Sequence, residues 1–335
     1  MTAAPASTRT VLVLGANGRF GLAAAQAFAS AGWHVLAQVR RDAAAGMPAG
    51  AEIVRAPLDA VADTLRERPA PEVVVHAINP IYTRWDEEAL PAARAAMDLA
   101  ERLGARFMLP GNVYNYGESM PARLDETTPQ RPTTAKGRIR VEMERELERR
   151  ASAGRLRATV ITAGDFFGAG SGSWFDAVVV KSIAKGRLAY PGDAQLTHAW
   201  AYLPDLARAF VAVAALDDVA PFERFAFAGH SVAGTDFLAG VERAAATLGL
   251  APTHGWRRGR MPWPLIRVVG AVVPLWRELA RMSYLWRVPH VLDGSKLAGR
   301  CPALTSTPLA TALADSLIDL GVAAAPMRSP AHATG

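Results

Sequence analysis

The chain has 335 residues, half of them hydrophobic and a fifth charged, with 37 basic and 31 acidic side chains and a net charge of +6. A chain of this length buries a large core, as one α/β domain or as a nucleotide domain with a smaller substrate domain, and its composition excludes a disordered or fibrous protein. Its single cysteine, Cys301, excludes an intramolecular disulfide; with an N-terminus lacking both a charged leader and an apolar signal core, this points to the reducing cytoplasm.

Val11-Leu12-Val13-Leu14 is a short apolar run ended by a glycine turn, the pattern of a strand buried on both faces of a parallel sheet. A helix over 22–31 stops at Gly32, and strands follow at 34–39, 52–55 and 72–76, the last holding Val73-Val74-Val75. Asp86-Glu87-Glu88 places carboxylates at the positive end of a helix that runs to Leu103 and ends at Gly104. Arg106 to Leu109 reads as the next strand. Charges four apart, Arg138/Glu142 and Arg140/Glu144, predict a long and partly exposed helix over 133–151, and 156–162 returns to strand.

Strands alternating with helices imply βαβ units and a doubly wound α/β sheet, a Rossmann fold. Beyond residue 165 the alternation loosens, with a loop from Gly168 to Gly172 and helices expected at 174–185, 204–216 and 235–248. Trp263 to Trp276 is apolar but broken by Pro264, Arg267, Gly270 and Pro274; it is too short to span a bilayer and reads as a covering helix pair. The domains expected are therefore an NAD(P)-binding Rossmann domain over 8–165 and a smaller, mainly helical substrate lobe over 166–325, with some elements returning to the Rossmann sheet.

The turn Gly15-Ala16-Asn17-Gly18-Arg19-Phe20-Gly21 lies between the first strand and the first helix. Glycines at 15, 18 and 21 allow a tight turn and let backbone amides reach a pyrophosphate at the helix's positive end. The second strand ends in Val39-Arg40-Arg41, where an acid would favour a free ribose 2′-hydroxyl and an arginine favours a 2′-phosphate. NADP is thus the expected cofactor, with NAD the alternative. Nucleic acid is not an expected partner, because the arginine pairs at 40–41, 149–150 and 257–258 are scattered and no aromatic-interleaved stripe accompanies them.

From the glycine turn through Val75-His76-Ala77, Tyr116-Gly117, Ala163-Gly164-Asp165-Phe166-Phe167-Gly168, Trp200-Ala201-Tyr202-Leu203-Pro204-Asp205 and Leu292-Asp293-Gly294-Ser295-Lys296, the chain resembles the extended short-chain dehydrogenase/reductase family, which includes nucleotide-sugar epimerases and dehydratases. The resemblance implies that backbone around Ala77, Ile78 and Asn79 lines the cofactor and that Gly164, Asp165 and Phe166 approach the nicotinamide. Leu58 and Asp59 fall near the adenine, although Pro57 stands where an aspartate is usual. His76 reads as a strand-end structural histidine.

The family's signature of Ser or Thr, then Tyr-x-x-x-Lys, is replaced. By the resemblance Asn112 takes the Ser/Thr position, Lys136 that of the tyrosine and Arg140 that of the lysine. Arginine cannot release its proton and asparagine has none to give, which leaves two candidate donors. Lys136 lies one helical turn from Arg140, whose repulsion would lower its pKa; Tyr114 carries the phenol the family uses. Otherwise Lys136 and Arg140 are plain helix charges. His198, Trp200 and Tyr202 alternate on one strand face, as a substrate-facing cleft wall or as packed side chains. Ser171, Ser173 and Trp174 would touch substrate or cap a helix. Cys301 has no partner cluster and is assigned neither metal nor nucleophile.

The function expected is an NADP(H)-dependent oxidoreductase acting on a small carbonyl or hydroxyl compound. The alternatives are a non-catalytic NADP(H)-binding redox sensor and a nucleotide-sugar epimerase or dehydratase. A homodimer is compatible with the sequence, which does not specify assembly.

Overall fold

Strand β1 (Thr10–Leu14) is buried at all five positions, because helices cover both faces of the sheet around it. The structure, a computed structural model, describes residues 9–323; the N-terminal segment read for a leader, and residues 8, 324 and 325 of the expected domain bounds, lie outside the described residues. The chain continues through α1 (Arg19–Ser30), β2 (His34–Val39), β3 (Glu52–Arg55), α2 (Val61–Thr64), β4 (Val73–His76), α3 (Trp85–Leu103), β5 (Arg106–Asn112), β6 (Arg123–Leu124), α4 (Ala135–Ser152) and β7 (Ala158–Ala163). Then come β8 (Asp165–Phe167), β9 (Arg187–Tyr190), β10 (Thr197–Tyr202), α5 (Leu203–Ala214), β11 (Phe222–Ala226), β12 (His230–Ala233) and α6 (Gly234–Thr247). The last elements are β13 (Arg257–Arg260), α7 (Trp263–Val269), α8 (Pro274–Arg281), β14 (Val291–Leu292), α9 (Ser295–Arg300) and α10 (Leu309–Asp319).

Seven strands form one parallel sheet in the order β11-β7-β5-β4-β1-β2-β3. The fold is Rossmann-like, with β11 from the second half closing one edge. Period-two alternation divides β1 between two cores: Val11 and Val13 pack with Phe28 of α1 and Phe210 of α5, while Leu12 and Leu14 pack with Met97 of α3 and Leu147 of α4. Strand order reverses between β1 and β4, the switch point where open α/β sheets place a ligand crevice at the strands' C-terminal ends.

The covering lobe has its own core of Phe167, Phe175, Trp200 and Phe237, around a three-stranded sheet β12-β10-β8. The helix expected at 174–185 is absent. Residues Phe175–Val179 make one π-helical turn and Ile183–Lys185 a 3-10 turn. Val178-Val179-Val180 lowers helix propensity slightly, and Phe175, Val179, Val180 and Ile183 are all taken into the lobe's core. Among the described residues, no helix is long and apolar enough to cross a membrane.

Candidate active site

Five loops leave the C-terminal edge of the sheet to line the crevice, following β1, β2, β4, β5 and β7. In the first, Gly15 has φ +75°, and a Cβ there would sit 3.0 Å from the backbone of Ile78, so only glycine lets the turn meet the loop after β4. A Cβ on Gly21 would collide with the Gly15 carbonyl oxygen. Gly18 is the N-cap of α1 in extended backbone, without a capping side chain and without an acid in the first turn of the helix. The helix's positive end thus carries no acid of its own, an arrangement that fits a pyrophosphate.

Gln38, which the sequence reading passed over, braces this turn. Buried near the end of β2, it accepts the Gly15 amide at 2.9 Å and donates to the Ala56 carbonyl at 2.7 Å. A lone amide in an otherwise apolar strand was its available signal. Asn17 donates to the Asp42 carbonyl and accepts the Ala44 amide, both at 2.8 Å, pinning the loop after β2 against the turn. Arg40 and Arg41 on that loop are exposed and have no carboxylate partner among the described residues; Asp42 instead pairs with Arg55 at 2.8 Å.

Arg19 reaches over the crevice to donate to the Gly168 carbonyl at 2.7 Å and leaves its buried Nε without a partner. Burial pushes its pKa down, and Asp176 opposes the shift. Phe20 points into the core, edge-on to Phe210 at 4.8 Å. Leu58 and Ile78 pack against the α3 side of the sheet, while Asp59 is exposed. The Asn79 side chain accepts the Trp85 indole N–H at 2.9 Å, so its backbone is the part left to line the crevice. His76 is stacked on Phe107 at 5.7 Å and held neutral, with its pKa lowered to about 3 by burial and then by Arg140.

At the far end of the crevice, a Cβ on Gly164 would run into the Ala199 carbonyl, so glycine lets the chain after β7 lie against β10. The approach puts Asp165 Oδ2 2.6 Å from His198 Nε2, both residues buried. Phe166 joins the α1 side of the core. His198 stacks on Trp286 at 4.2 Å, Trp200 on Phe237 at 4.3 Å, and Tyr202 lies 5.3 Å from Phe167. The face shared by His198, Trp200 and Tyr202 is thus the lobe's packed interior. Ser173 donates to Asp176 rather than capping a helix itself.

The residues at the replaced signature converge. Asn112 ends β5 and its Oδ1 accepts the Tyr114 amide at 3.0 Å. Gly137 allows α4 to lie against this turn, where a Cβ would collide with the Tyr114 carbonyl. Tyr114 and Tyr82 pack against the same apolar cluster; burial raises the pKa of both phenols well above the usual value, Asp165 adds to the rise, and Arg140 opposes it at Tyr114. Arg140 donates to the Pro110 carbonyl at 3.0 Å, lies 4.8 Å over the Trp85 ring and leaves Nε unpartnered; burial lowers its pKa.

Lys136 is buried, with Nζ 2.9 Å from both Glu278 Oε2 and the Tyr82 carbonyl, and 4.4 Å over the Tyr82 ring. By local spacing Lys136 lies one helical turn from Arg140. Its charged partner comes from α8, far along the chain, where no local spacing connects the two.

The sheet order and the glycine turn between β1 and α1 are those of a Rossmann fold of the extended short-chain dehydrogenase/reductase type. The profile of the NAD dependent epimerase/dehydratase family matches residues 11–226, and the chain belongs to that family. Among curated protein sequences, none matches it. Solved structures similar to it include the UDP-glucose 4-epimerase of Thermotoga maritima, at TM-score 0.71 and 16% identity, covering 92% of this chain and 97% of that one. The UDP-Glc/GlcNAc 4-epimerase of Campylobacter jejuni gives 0.70 at 13%, covering 93% and 98%. MoeE5 in complex with UDP-glucuronic acid and NAD gives 0.68 at 18%, covering 92% and 98%. At these identities the likeness is one of fold.

Proposed function

We propose that the protein is a reductase of a small carbonyl compound that uses a nicotinamide dinucleotide, preferentially NADP(H), with Tyr114 as proton donor. The observation that carries this reading is Tyr114 itself, a phenol kept protonated by burial beside Arg140 and Tyr82 at the crevice end of β5. The glycine turn and the uncapped start of α1 would hold the pyrophosphate, with Arg19 beside them, and Arg40 or Arg41 would pair with a 2′-phosphate.

When bound, the cofactor supplies a hydride at its nicotinamide ring. A carbonyl oxygen that gains a hydride takes up a proton as it becomes a hydroxyl, and a protonated phenol beside it can supply that proton. Arg140 keeps its charge and stabilises the developing oxyanion, and Asn112, whose Oδ1 is committed to the Tyr114 amide, offers its NH2 to orient the substrate oxygen.

A second reading is a nucleotide-sugar epimerase or dehydratase, favoured by the similarity to structures that carry UDP-sugars. Net oxidation of NADPH by a panel of carbonyl compounds separates the two, since an epimerase returns the hydride and retains its cofactor. In the reductase, Tyr114→Phe should lose roughly 100-fold in kcat with unchanged cofactor Kd, and Lys136→Met should lose far less. Full activity in both variants would remove Tyr114 from the chemistry; no turnover in the parent protein would favour a sensing role.

A further inference from the structure

The net charge of +6 is not spread over the molecule. Residues 251–290 contain seven arginines and a single acidic residue, Glu278, and the rest of the chain balances 30 basic against 30 acidic side chains. Arg258 pairs with Glu242 and Arg281 with Glu278; Arg257, Arg260, Arg267, Arg277 and Arg287 have no carboxylate partner among the described residues.

The same segment carries the exposed apolar surface. Among the described residues the large hydrophobic side chains left exposed are Ile81 (69%), Leu265 (54%), Val268 (73%), Val272 (79%) and Leu275 (45%). Four lie on the α7–α8 hairpin. The fifth precedes the turn Tyr82–Arg84, on which α8 packs. The hairpin is a built element: Gly270 admits a close approach of α8, Arg277 Nε donates to the Gly270 carbonyl at 3.1 Å, and the Trp263 indole donates to the Pro191 carbonyl at 2.5 Å. Trp256 and Trp263 of the same segment pack on the covering lobe's core and anchor the hairpin there.

A hairpin that exposes four aliphatic side chains and carries the unpaired Arg267 and Arg277 on its own helices has the chemistry of the bilayer interface, where aliphatic side chains enter the acyl boundary and guanidinium groups meet lipid phosphates. We infer that the α7–α8 hairpin docks the protein on an anionic lipid surface. A second copy of this chain would bring two patches of the same positive sign together, and a nucleic acid would leave the aliphatic tip exposed.

The test is flotation of the full-length protein with vesicles of phosphatidylcholine alone or of phosphatidylcholine and phosphatidylglycerol at 7:3. Binding is expected with the anionic vesicles only, and is weakened by salt. Arg260→Glu/Arg267→Glu should weaken it about 25-fold, at about fivefold per arginine. Val268→Asp/Val272→Asp should weaken it at least tenfold with an unchanged thermal melt, since both side chains are exposed. Absence of vesicle binding overturns the inference, as does equal binding to neutral vesicles. So does retention of 24-base-pair DNA that survives the valine substitutions, or a dimer that those substitutions dissociate without any effect on vesicles.

Discussion

Removing the carboxylate of Glu278 tests whether α8 is locked to α4 by charge. Lys136 is 2% exposed and Glu278 13%, with Nζ and Oε2 2.9 Å apart. Deleting one partner of a buried pair typically costs about 3–5 kcal/mol, because the other charge is left uncompensated. Lys136 keeps the Tyr82 carbonyl and the face of the Tyr82 ring, contacts each worth on the order of 1 kcal/mol. Glu278→Ala should therefore cost about 2 kcal/mol and lower Tm by roughly 4 °C. Lys136→Met/Glu278→Leu replaces both charges with apolar groups and should fall within about 1 kcal/mol of the parent protein. Arg281→Ala, which removes the exposed partner of Glu278, should change little. Urea unfolding of the parent, Lys136→Met, Glu278→Leu and the double variant gives the coupling energy. A loss below about 0.5 kcal/mol in Glu278→Ala, or a coupling near zero, would refute a lock between the helices.

Gly18→Val adds a branched side chain whose Cβ would lie 3.2 Å from the Gly15 carbonyl oxygen; calorimetric titration should show at least tenfold weaker dinucleotide binding, with Tm little changed. Arg40→Asp should shift the ratio of the NADP(H) and NAD(H) dissociation constants toward NAD(H) by about tenfold, and an unchanged ratio would turn attention to Arg41. His76 ionises near 6.5 in the unfolded chain but at about 3 in the fold, so below pH 6.5 the unfolded chain takes up the proton first. Its contribution to stability is complete above 6.5 and falls by about 1.4 kcal/mol per pH unit from there toward 3. His76→Phe should flatten that slope in urea titrations between pH 6 and 4, where His290, lowered to about 4 by burial and His198, adds a slope of similar size that ends sooner, near pH 4.

Much of the Rossmann half was legible because its signals are local. The second and third strands were read at 34–39 and 52–55, where β2 and β3 stand, since runs of apolar residues between turns need no distant information. Gly104 ends α3 in the left-handed conformation that only the absence of a Cβ makes cheap, so that boundary was also written in one residue. Gly15, Gly18 and Gly21 announced a turn whose tight approaches the structure then supplied. The helix expected at 174–185 failed where helical spacing met a run of valines and the lobe's packing prevailed.

What only the tertiary structure decided is which side chains meet across long separations. Asp165 with His198, Tyr114 with Tyr82 and Lys136 with Glu278 each join elements brought together by the closing of a sheet or the docking of a helix. A residue's type states which bonds it can make, and local sequence states its helix or strand. Its partner, and with it burial and charge environment, depends on how whole elements share one core, and for that reason the same lysine that reads as a helix charge beside Arg140 is, in the folded chain, half of a buried ion pair.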